Sequence, residues 1–353
     1  MTPDAAKTDL ILRCRELGVD LVRIAPADLP GHYDAAFRQW IADGHQADMH
    51  YLSRRVETGV QPTDLLAGAQ RLICLGISYW RGPEDEPIPA DHGQISRYAI
   101  SRDYHKTIGR IVKSLVQHIE TELGGSARGF VDIGPILERA HAEVSGMGYI
   151  GKNTMLISPE HGSWIFLAAV LTDIELPLDL EPVHLRCGSC SRCIDICPTA
   201  AILPDRSLDA SRCISYLTIE NRGPIPPELR PGIGNWLFGC DLCQEVCPHN
   251  GGLEPTRVDD FRQIRIAGRR LDLAEILAIP DDAAYTERFA GTPLMRAKRR
   301  GLQRNACVVA GNSGNPSLLP ALAAFLARET DPMLLEHATW AVDSIQNCTH
   351  SGN

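Results

Sequence analysis

The residues best suited to chemistry are cysteines, and most of them are crowded into one part of the chain. The 353-residue sequence has twelve, and eight of these lie between Cys187 and Cys247. They form two motifs with one isolated residue between them: Cys187-x2-Cys190-x2-Cys193-x3-Cys197-Pro198, then Cys213, then Cys240-x2-Cys243-x3-Cys247-Pro248. Closely spaced thiolates on a tight turn point inward and can hold three corners of an iron–sulfur cubane. The spacing predicts a ferredoxin-like module with two [4Fe–4S] clusters.

The fourth ligand of each cluster must come from outside its own three-cysteine turn. In two-cluster ferredoxins, the cysteine that precedes proline ligates the other cluster. That rule assigns one cluster to Cys187, Cys190, Cys193 and Cys247, and the other to Cys197, Cys213, Cys240 and Cys243. Cys213 replaces the thiolate that the shorter second motif lacks. Zinc is the alternative, since CxxC pairs also bind it, but zinc does not explain the paired Cys-Pro endings.

Composition restricts the class of protein further. The net charge of −9 argues against general binding of polyanions, so a nucleic acid would need a local basic patch. The longest apolar stretches are too short to cross a bilayer, and the N-terminal sequence does not resemble a signal peptide. We expect a cytoplasmic monomer without a membrane segment, in which thiols stay reduced. The four scattered cysteines are expected to be small apolar core residues: Cys14, Cys74, Cys307 and Cys348.

The apolar patterns predict an α+β fold in three parts. Residues 1–180 predict an α/β unit, residues 181–255 the cysteine module, and residues 256–353 a HEAT-like helical repeat or an ordinary helical cap. In the first part, predicted helices cover Asp4–Leu17, Tyr33–Asp43, Asp103–Leu123 and Ile136–Ser145. Predicted strands cover Leu21–Ile24, Arg71–Tyr79, Gly129–Ile133 and Ser163–Thr172. The glycine-rich segment Met147–Trp164 is too polar for a core and is expected to line a site.

Several sequence blocks together resemble the epoxyqueuosine reductase family over nearly the whole chain. They are RYAISRDYHK, FVDIGPILERAHAEVSGMGYIGKNTMLISPEHGSWIFLAAVLTD, ENRGPIP, CDLCQEVCPHN and LQRNACVVAGN. The resemblance implies cob(I)alamin, bound between the α/β unit and the clusters that feed it electrons. A base-off form is expected, because the chain lacks the D-x-H-x-x-G motif that supplies a histidine to cobalt in some cobalamin proteins. The implied reaction reduces epoxyqueuosine to queuosine at the wobble position of tRNA, the last step of queuosine biosynthesis.

The resemblance also implies a proton donor. It falls on Asp132 in the VDIGP motif, and we expect burial under the macrocycle to raise the pKa of this carboxyl. Capping of the next helix is the alternative role for Asp132. Further cofactor contacts are expected from Lys152, Asn153, Ser158, Gly162, Ser163, Trp164, Ser215 and Asp241. Contacts with substrate or cofactor are also expected from Tyr104, His105, Arg139 and His141.

A basic segment is the expected RNA contact. From Arg257 to Arg304 there are eleven Lys and Arg against seven Asp and Glu, a local charge of about +4. Contacts with the phosphates of an anticodon stem-loop are expected from Arg222, Arg296, Lys298, Arg299 and Arg300, with Arg304 in the same patch. A solvated helix face is the alternative interpretation of this run.

The electron source and two other functions stay open at this point. A low-potential donor such as a flavodoxin or a ferredoxin is expected. The alternative functions are a cobalamin-dependent reductive dehalogenase acting on a small molecule and a non-catalytic iron–sulfur electron carrier. About 180 residues of α/β domain before the cysteines count against a simple carrier.

Overall fold

The computed structural model describes residues 1–58, 61–83, 86–132, 134–264 and 268–351. Its strands are β1 (Leu21–Pro26), β2 (Arg71–Ser78), β3 (His92–Ile95), β4 (Ala127–Phe130), β5 (Tyr149–Ile150), β6 (Leu156–Ile157), β7 (Ile165–Thr172), β8 (Trp236–Phe238) and β9 (Arg270–Asp272). Its helices are α1 (Pro3–Glu16), α2 (Gly31–Ala42), α3 (His50–Thr58), α4 (Tyr104–His118), α5 (Glu138–Val144), α6 (Arg192–Asp195), α7 (Ile214–Ile219), α8 (Arg230–Ile233), α9 (Leu242–Glu245), α10 (Asp259–Arg262), α11 (Leu273–Ala278), α12 (Asp282–Phe289), α13 (Lys298–Ser313), α14 (Leu319–Arg328) and α15 (Pro332–Ser351).

The first part is built on a four-stranded sheet with the order β1-β2-β7-β4. β2 and β7 are continuous apolar runs and are almost entirely buried, because helices cover both of their faces. α1 and α4 pack on one face, and α5 packs on the other. All neighbouring strands are antiparallel, which corrects the predicted α/β unit to an α+β arrangement. An apolar run identifies a buried strand but does not reveal its direction.

The end of β4 places Asp132 beside the start of α4. The predicted strand Gly129–Ile133 is observed as β4, which ends at Phe130, and Ile133 lies outside the described residues. β4 packs against α4, whose first residues are Tyr104 and His105. The strand and the helix therefore bring three polar side chains of the predicted site together.

A second sheet, β8-β3-β9, joins all three predicted parts of the chain. β3 pairs in parallel with β8 and antiparallel with β9. The residues around this sheet form one apolar core with the C-terminal helices, which includes Ile95, Leu237, Leu271 and Leu302. The cysteine module is therefore held by strands from both of its flanking parts.

The C-terminal part, predicted to be helical, ends in the long helices α13, α14 and α15. α15 packs against the other two, and the HEAT-like classification stays a prediction.

Arg304 was expected in an exposed basic patch, and this is wrong. Its side chain is buried in α13 and donates hydrogen bonds to the carbonyl oxygens of Leu217, Asn221 and Gly223. Arg304 therefore fastens α13 to the cysteine module.

Two further expectations can be compared with the structure. Cys14, Cys74 and Cys307 are buried as predicted, whereas Cys348 is exposed, because it lies near the end of α15. Within the described part of the chain, no helix combines the length and the apolar character that crossing a bilayer requires.

Candidate active site beside the cysteine module

Two short helices bring the cysteine motifs together. α6 lies in the first motif and α9 in the second, and the two helices are in contact. Burial raises the pKa of both Cys193 and Cys247, and the neighbouring thiol of Cys187 raises each further. Burial likewise raises the pKa of Cys213, with Cys197 as a neighbour that adds to the effect.

The first two cysteines of the second motif lie near Cys213. The pKa values of Cys240 and Cys243 are raised by burial, and Cys213 is a near neighbour of both. Cys193 and Cys197 also act on Cys243, so the two groups of thiols adjoin each other. The structure thus places the cysteines of the two motifs near one another, and their division into two groups of four ligands stays a prediction. Iron would displace the thiol protons, since thiolates are the ligating form.

The hairpin of β5 and β6 holds the first cysteine motif in place. Lys152 Nζ donates hydrogen bonds to the carbonyl oxygens of Gly188 at 3.0 Å and Cys190 at 2.8 Å. The backbone N–H of Lys152 lies 3.4 Å from Cys187 Sγ, and the side-chain amide of Asn153 donates to the Cys243 carbonyl. Lys152 and Asn153 therefore contact the cysteine loops, and their expected contact with a corrin stays a prediction. N–H groups directed at cluster sulfurs tune cluster potential.

The rest of the glycine-rich segment packs against the cysteine module and does not line an open site. Ser158 and Ser163 are buried, and Ser158 forms a bridge with Gly162. Gly162 has φ +56°, and a Cβ there would come within 2.0 Å of Asn250 Oδ1. The same Asn250 oxygen accepts a hydrogen bond from the Ser163 N–H at 2.7 Å. Gly162 and Ser163, both expected corrin contacts, therefore fasten the sheet to the cysteine module, and the third, Ser158, supports them through its bridge to Gly162.

Trp164 remains a candidate for a ligand contact. Its ring is buried and stacks on Trp80 with centroids 5.4 Å apart, and the Arg97 guanidinium lies over both rings. Trp164 also lines a cavity of about 410 Å³ between the N-terminal part, the cysteine module and β9. Its Nε1 is buried and has no hydrogen-bond partner among the described residues. A buried donor of this kind calls for an acceptor from a bound molecule.

Asp132 is held in an unusual backbone conformation within reach of two aromatic side chains. Its φ of +57° lies in the left-handed region, which Asp tolerates better than most residues. The Tyr104 hydroxyl donates to Asp132 Oδ2 at 2.5 Å, and His105 Nε2 lies 3.7 Å from the same oxygen. The Asp132 side chain is 60% exposed, and its backbone N–H donates to Glu138 Oε1 at 3.1 Å. Arg139 donates to the Thr154 carbonyl on the same rim.

The pKa of Asp132 differs from the expectation. Pairing with His105 lowers the pKa of Asp132, outweighing burial, whereas a raised value was expected. The adjacent Glu138 behaves oppositely, because burial raises its pKa to about 8. Burial also lowers the pKa of Arg139, although its side chain is open to solvent.

The remaining expected contacts are His141, Ser215 and Asp241. His141 is buried, with its ring nitrogens 3.1 Å from the carbonyl oxygens of Ala27 and Leu137, so its predicted substrate role is wrong in this structure. Ser215 is half-buried near the start of α7. Asp241 is buried and accepts from the Arg97 N–H at 2.8 Å. Burial raises the pKa of Asp241 to about 7.

Tyr98 was missed by the sequence analysis and joins the two sides of the site. Burial raises its pKa, and the neighbouring carboxylates Asp132, Glu220 and Asp241 raise it further. Tyr98 therefore lies between the sheet-end carboxylate and the cysteine module. The sequence signal was its position in RYAISRDYHK, seven residues before the predicted contact His105.

The predicted RNA contacts lie together but are largely paired with acids. Arg296 makes two hydrogen bonds to Glu220 at 2.8 and 2.9 Å. Arg299 pairs with Asp282, and Arg300 pairs with Asp331 while donating to the Arg222 carbonyl. Lys298 and Arg222 are exposed and form no ion pair with any described residue. The expected charge of the patch is therefore reduced to that of these two side chains.

The cysteine module and the nearby group of Asp132, Tyr104 and His105 are typical of an iron–sulfur oxidoreductase. A family model for a 4Fe-4S double cluster binding domain matches residues 186–250, and this rejects the zinc alternative. A second model, described as epoxyqueuosine reductase QueG, DUF1730, matches residues 60–133.

Full-length relatives identify the family. The epoxyqueuosine reductase of Pseudomonas aeruginosa is 41% identical over 334 residues, which cover 93% of this chain and 91% of that protein. The enzyme of Xanthomonas campestris pv. campestris is 39% identical over 349 residues, with 96% of both chains covered. This chain belongs to the epoxyqueuosine reductase family.

The fold agrees with solved structures of the same family. A crystal structure of epoxyqueuosine reductase with a tRNA-Tyr epoxyqueuosine-modified tRNA stem loop superposes with a TM-score of 0.85 at 30% identity, covering 97% of this chain and 90% of that one. The Streptococcus thermophilus epoxyqueuosine reductase gives a TM-score of 0.86 at 27% identity, with the same coverage. These relatives are oxidoreductases, so the electron-carrier and dehalogenase alternatives are not supported.

Proposed function

We propose that this chain reduces epoxyqueuosine to queuosine at the wobble position of tRNA in the cytoplasm. Electrons come from two [4Fe–4S] clusters, and cobalamin is the second cofactor. One observation carries the proposal: the Tyr98 ring contacts both Tyr104, which donates to Asp132, and Phe238, which lies two residues before Cys240. The proton-carrying group and the cysteine module therefore approach each other across Tyr98. Reductive removal of an epoxide oxygen needs electrons on one side and a proton donor on the other. The crystal structure of a relative with a modified stem loop supports tRNA as the substrate.

The burial of the cysteines supports an order for electron transfer. The loop from Cys187 to Cys193 lies at the surface, where Gly188, Ser189 and Arg192 are exposed. Asp241, between Cys240 and Cys243, is buried and accepts a hydrogen bond from the N–H of Arg97, which lines the cavity. The cluster on the first loop therefore accepts electrons from a low-potential donor such as a flavodoxin or a ferredoxin. The second cluster delivers them to the cavity, and a monomer contains the whole path.

The residues at the site fit cobalamin. Trp164 Nε1 and Ser96 Oγ are buried polar atoms without a hydrogen-bond partner among the described residues. Ser96 Oγ lies 2.2 Å from where a Cβ on Gly239 would be, so only glycine fits beside Cys240. The amide side chains of a base-off corrin would satisfy such atoms. Trp164, Ser215 and Asp241 would hold the cofactor, which supplies a low-potential cobalt centre for the reduction.

Anaerobic reconstitution tests the proposed function directly. The protein is loaded with iron, sulfide and cobalamin, reduced, and incubated with a tRNA stem-loop that contains epoxyqueuosine. The expected results are a cluster spectrum, retention of the corrin after gel filtration, and queuosine among the digested nucleosides. Clusters without corrin retention would contradict the cobalamin assignment. Reduction of an organohalide with no conversion of the RNA would favour a dehalogenase.

Arg222 and Lys298 provide a test of the RNA surface. Replacing either with alanine is expected to weaken binding of the stem-loop and to reduce the slope of log affinity against log salt by about one, because one phosphate contact is lost. Fluorescence anisotropy at several salt concentrations measures both quantities. Arg15→Ala is the matched control, because this arginine is exposed on α1, outside the basic segment. An unchanged salt slope in both patch variants would exclude these residues as phosphate contacts.

A further inference from the structure

His105 lies between two carboxylates at the start of α4. Asp103 caps the helix, and its Oδ1 accepts the His105 backbone N–H at 3.0 Å. The same oxygen lies 2.9 Å from His105 Nδ1, so it fixes the orientation of the ring. The other ring nitrogen, Nε2, points to Asp132 Oδ2 at 3.7 Å. The three side chains form a chain from Asp103 through the imidazole to Asp132.

Packing on the sheet holds this chain in place. The Tyr104 ring stacks on Phe166 of β7 with centroids 4.4 Å apart and on His105 at 4.1 Å. Its hydroxyl donates to Asp132 Oδ2, the oxygen that His105 also approaches. The other oxygen, Oδ1, accepts no hydrogen bond from the described residues. Asp132 Oδ1 is therefore available to a substrate.

The charges around His105 favour a proton on its ring. The groups that face it are Asp103 and Lys106 on its own helix end, Asp132 after β4, and Glu138 and Arg139 at the start of α5. The hydrogen bond to Asp103, followed by the pairing with Asp132, raises the pKa of His105 to about 9. Pairing with His105 lowers the pKa of Asp132. Near neutral pH the proton of this chain therefore resides on His105.

We propose that His105 acts through Asp132, holding the carboxylate by an ion pair and passing to it the protons that the reduction consumes. Asp103 fixes the tautomer of the ring, and Tyr104 holds the acceptor oxygen. This inference rests on the proposed function and names the proton source of the same site. Asp132 Oδ1 faces the substrate, whereas His105 is a positioning residue that supplies it.

The proton balance of the reaction requires such a source. Each turnover breaks both C–O bonds of the epoxide, forms one carbon–carbon double bond, and releases the oxygen as water. Two electrons enter from a low-potential one-electron reductant through the clusters, and two protons are consumed. Asp132 can hold only one proton at a time, so it must be reloaded within the cycle. The His105 side chain is 35% exposed and can take its own proton from water.

The sign of the pH dependence follows from this assignment. Protonated His105 is the competent form, so turnover is retained below its pKa and falls as the pH rises through about 9. Asp103→Asn keeps a good helix cap but removes the carboxylate that contributes most to the raised pKa, so this fall should move to lower pH. His105→Gln cannot carry a proton, so turnover should drop by about 10²-fold and the fall near pH 9 should disappear.

Two measurements on the reconstituted protein test the proposal. The first is the pH profile of turnover with excess reductant for the wild type, Asp103→Asn and His105→Gln. The second is an NMR titration of ¹⁵N-histidine-labelled protein, with the His105 signal identified by its loss in His105→Gln. The expected His105 pKa is about 9 in the wild type and lower in both Asp103→Asn and Asp132→Asn. His118→Gln is the matched control, since His118 pairs with Asp9 at 2.6 Å on the same helix.

Clear outcomes would overturn the inference. A His105 pKa near its ordinary value of about 6.5, or an unchanged pH profile in Asp103→Asn, would show that His105 is not the proton source. The titration needs no substrate. A wild-type protein that fails to reduce epoxyqueuosine would instead overturn the proposed function, while the titration would still report where the proton resides.

Discussion

Replacing Asp132 with asparagine is expected to lower the turnover of epoxyqueuosine by about 10²–10⁴-fold, the usual loss when a general acid is removed. Asparagine adopts the left-handed conformation of residue 132 as readily as aspartate does. Its amide oxygen can still accept the hydrogen bond from the Tyr104 hydroxyl. The variant therefore removes a proton-carrying charge and leaves the loop intact. Single-turnover conversion of a modified stem-loop by chemically reduced enzyme measures the effect.

The control for this variant is an aspartate in an exposed turn outside the cavity. Asp205→Asn removes a carboxylate of the same size, whose only described contact is with the backbone of Ser207. It should match the wild type in turnover, iron and sulfide. Near-wild-type turnover of Asp132→Asn, with both clusters intact, would remove Asp132 from the chemistry and leave it a structural role at the end of β4.

The parts of the fold that depend on local pattern were predictable. The buried runs of β2 and β7 and the helices α1 and α4 follow from apolar spacing within a few residues. The iron–sulfur character of the cysteine module was predictable for a similar reason, because its cysteines lie within short turns, and a 4Fe-4S double cluster binding domain matches residues 186–250. The antiparallel order of the sheet was not, since it depends on which distant strands meet.

The polar segment Met147–Trp164 shows why composition misled the prediction. Its low apolar content suggested an open site, yet Ser163 and Asn153 are buried. Their polar atoms are satisfied by Asn250 and by the Cys243 carbonyl, far along the chain. Burial of polar groups is permitted when partners exist, and one sequence does not reveal those partners.

The protonation state of the site also lay beyond the sequence. The expectation of a raised pKa treated Asp132 as an isolated carboxyl in a dry cavity. The structure adds His105 and Tyr104, and the pairing with His105 outweighs burial. Burial instead raises the pKa of Glu138, six residues later, to about 8. Which of two nearby acids keeps its proton depends on partners that tertiary packing selects.

Cys213→Ala is expected to halve the iron content, from about eight to about four atoms per chain, and to abolish turnover. Cys213 is the isolated cysteine of the module, and burial beside Cys197 places it with Cys240 and Cys243. Losing one of its four proposed thiolates should release the cubane that Cys213 completes. Iron and labile sulfide assays measure the loss, and EPR of the reduced protein identifies the surviving cluster. Cys348→Ala, at an exposed cysteine outside the module, is the matched control.

The exchange of Cys-Pro ligands between the motifs makes this test sharper. If Cys247 completes the first cluster, Cys247→Ala should leave the cluster that Cys213→Ala removes, although Cys247 belongs to the second motif in sequence. Cys197→Ala should resemble Cys213→Ala for the same reason. The neighbours of Cys247 are Cys187 and Cys190, which supports this crossed arrangement. If Cys247→Ala and Cys240→Ala gave the same surviving signal, each motif would bind its own cluster, and the proposed order of electron transfer would lose its basis.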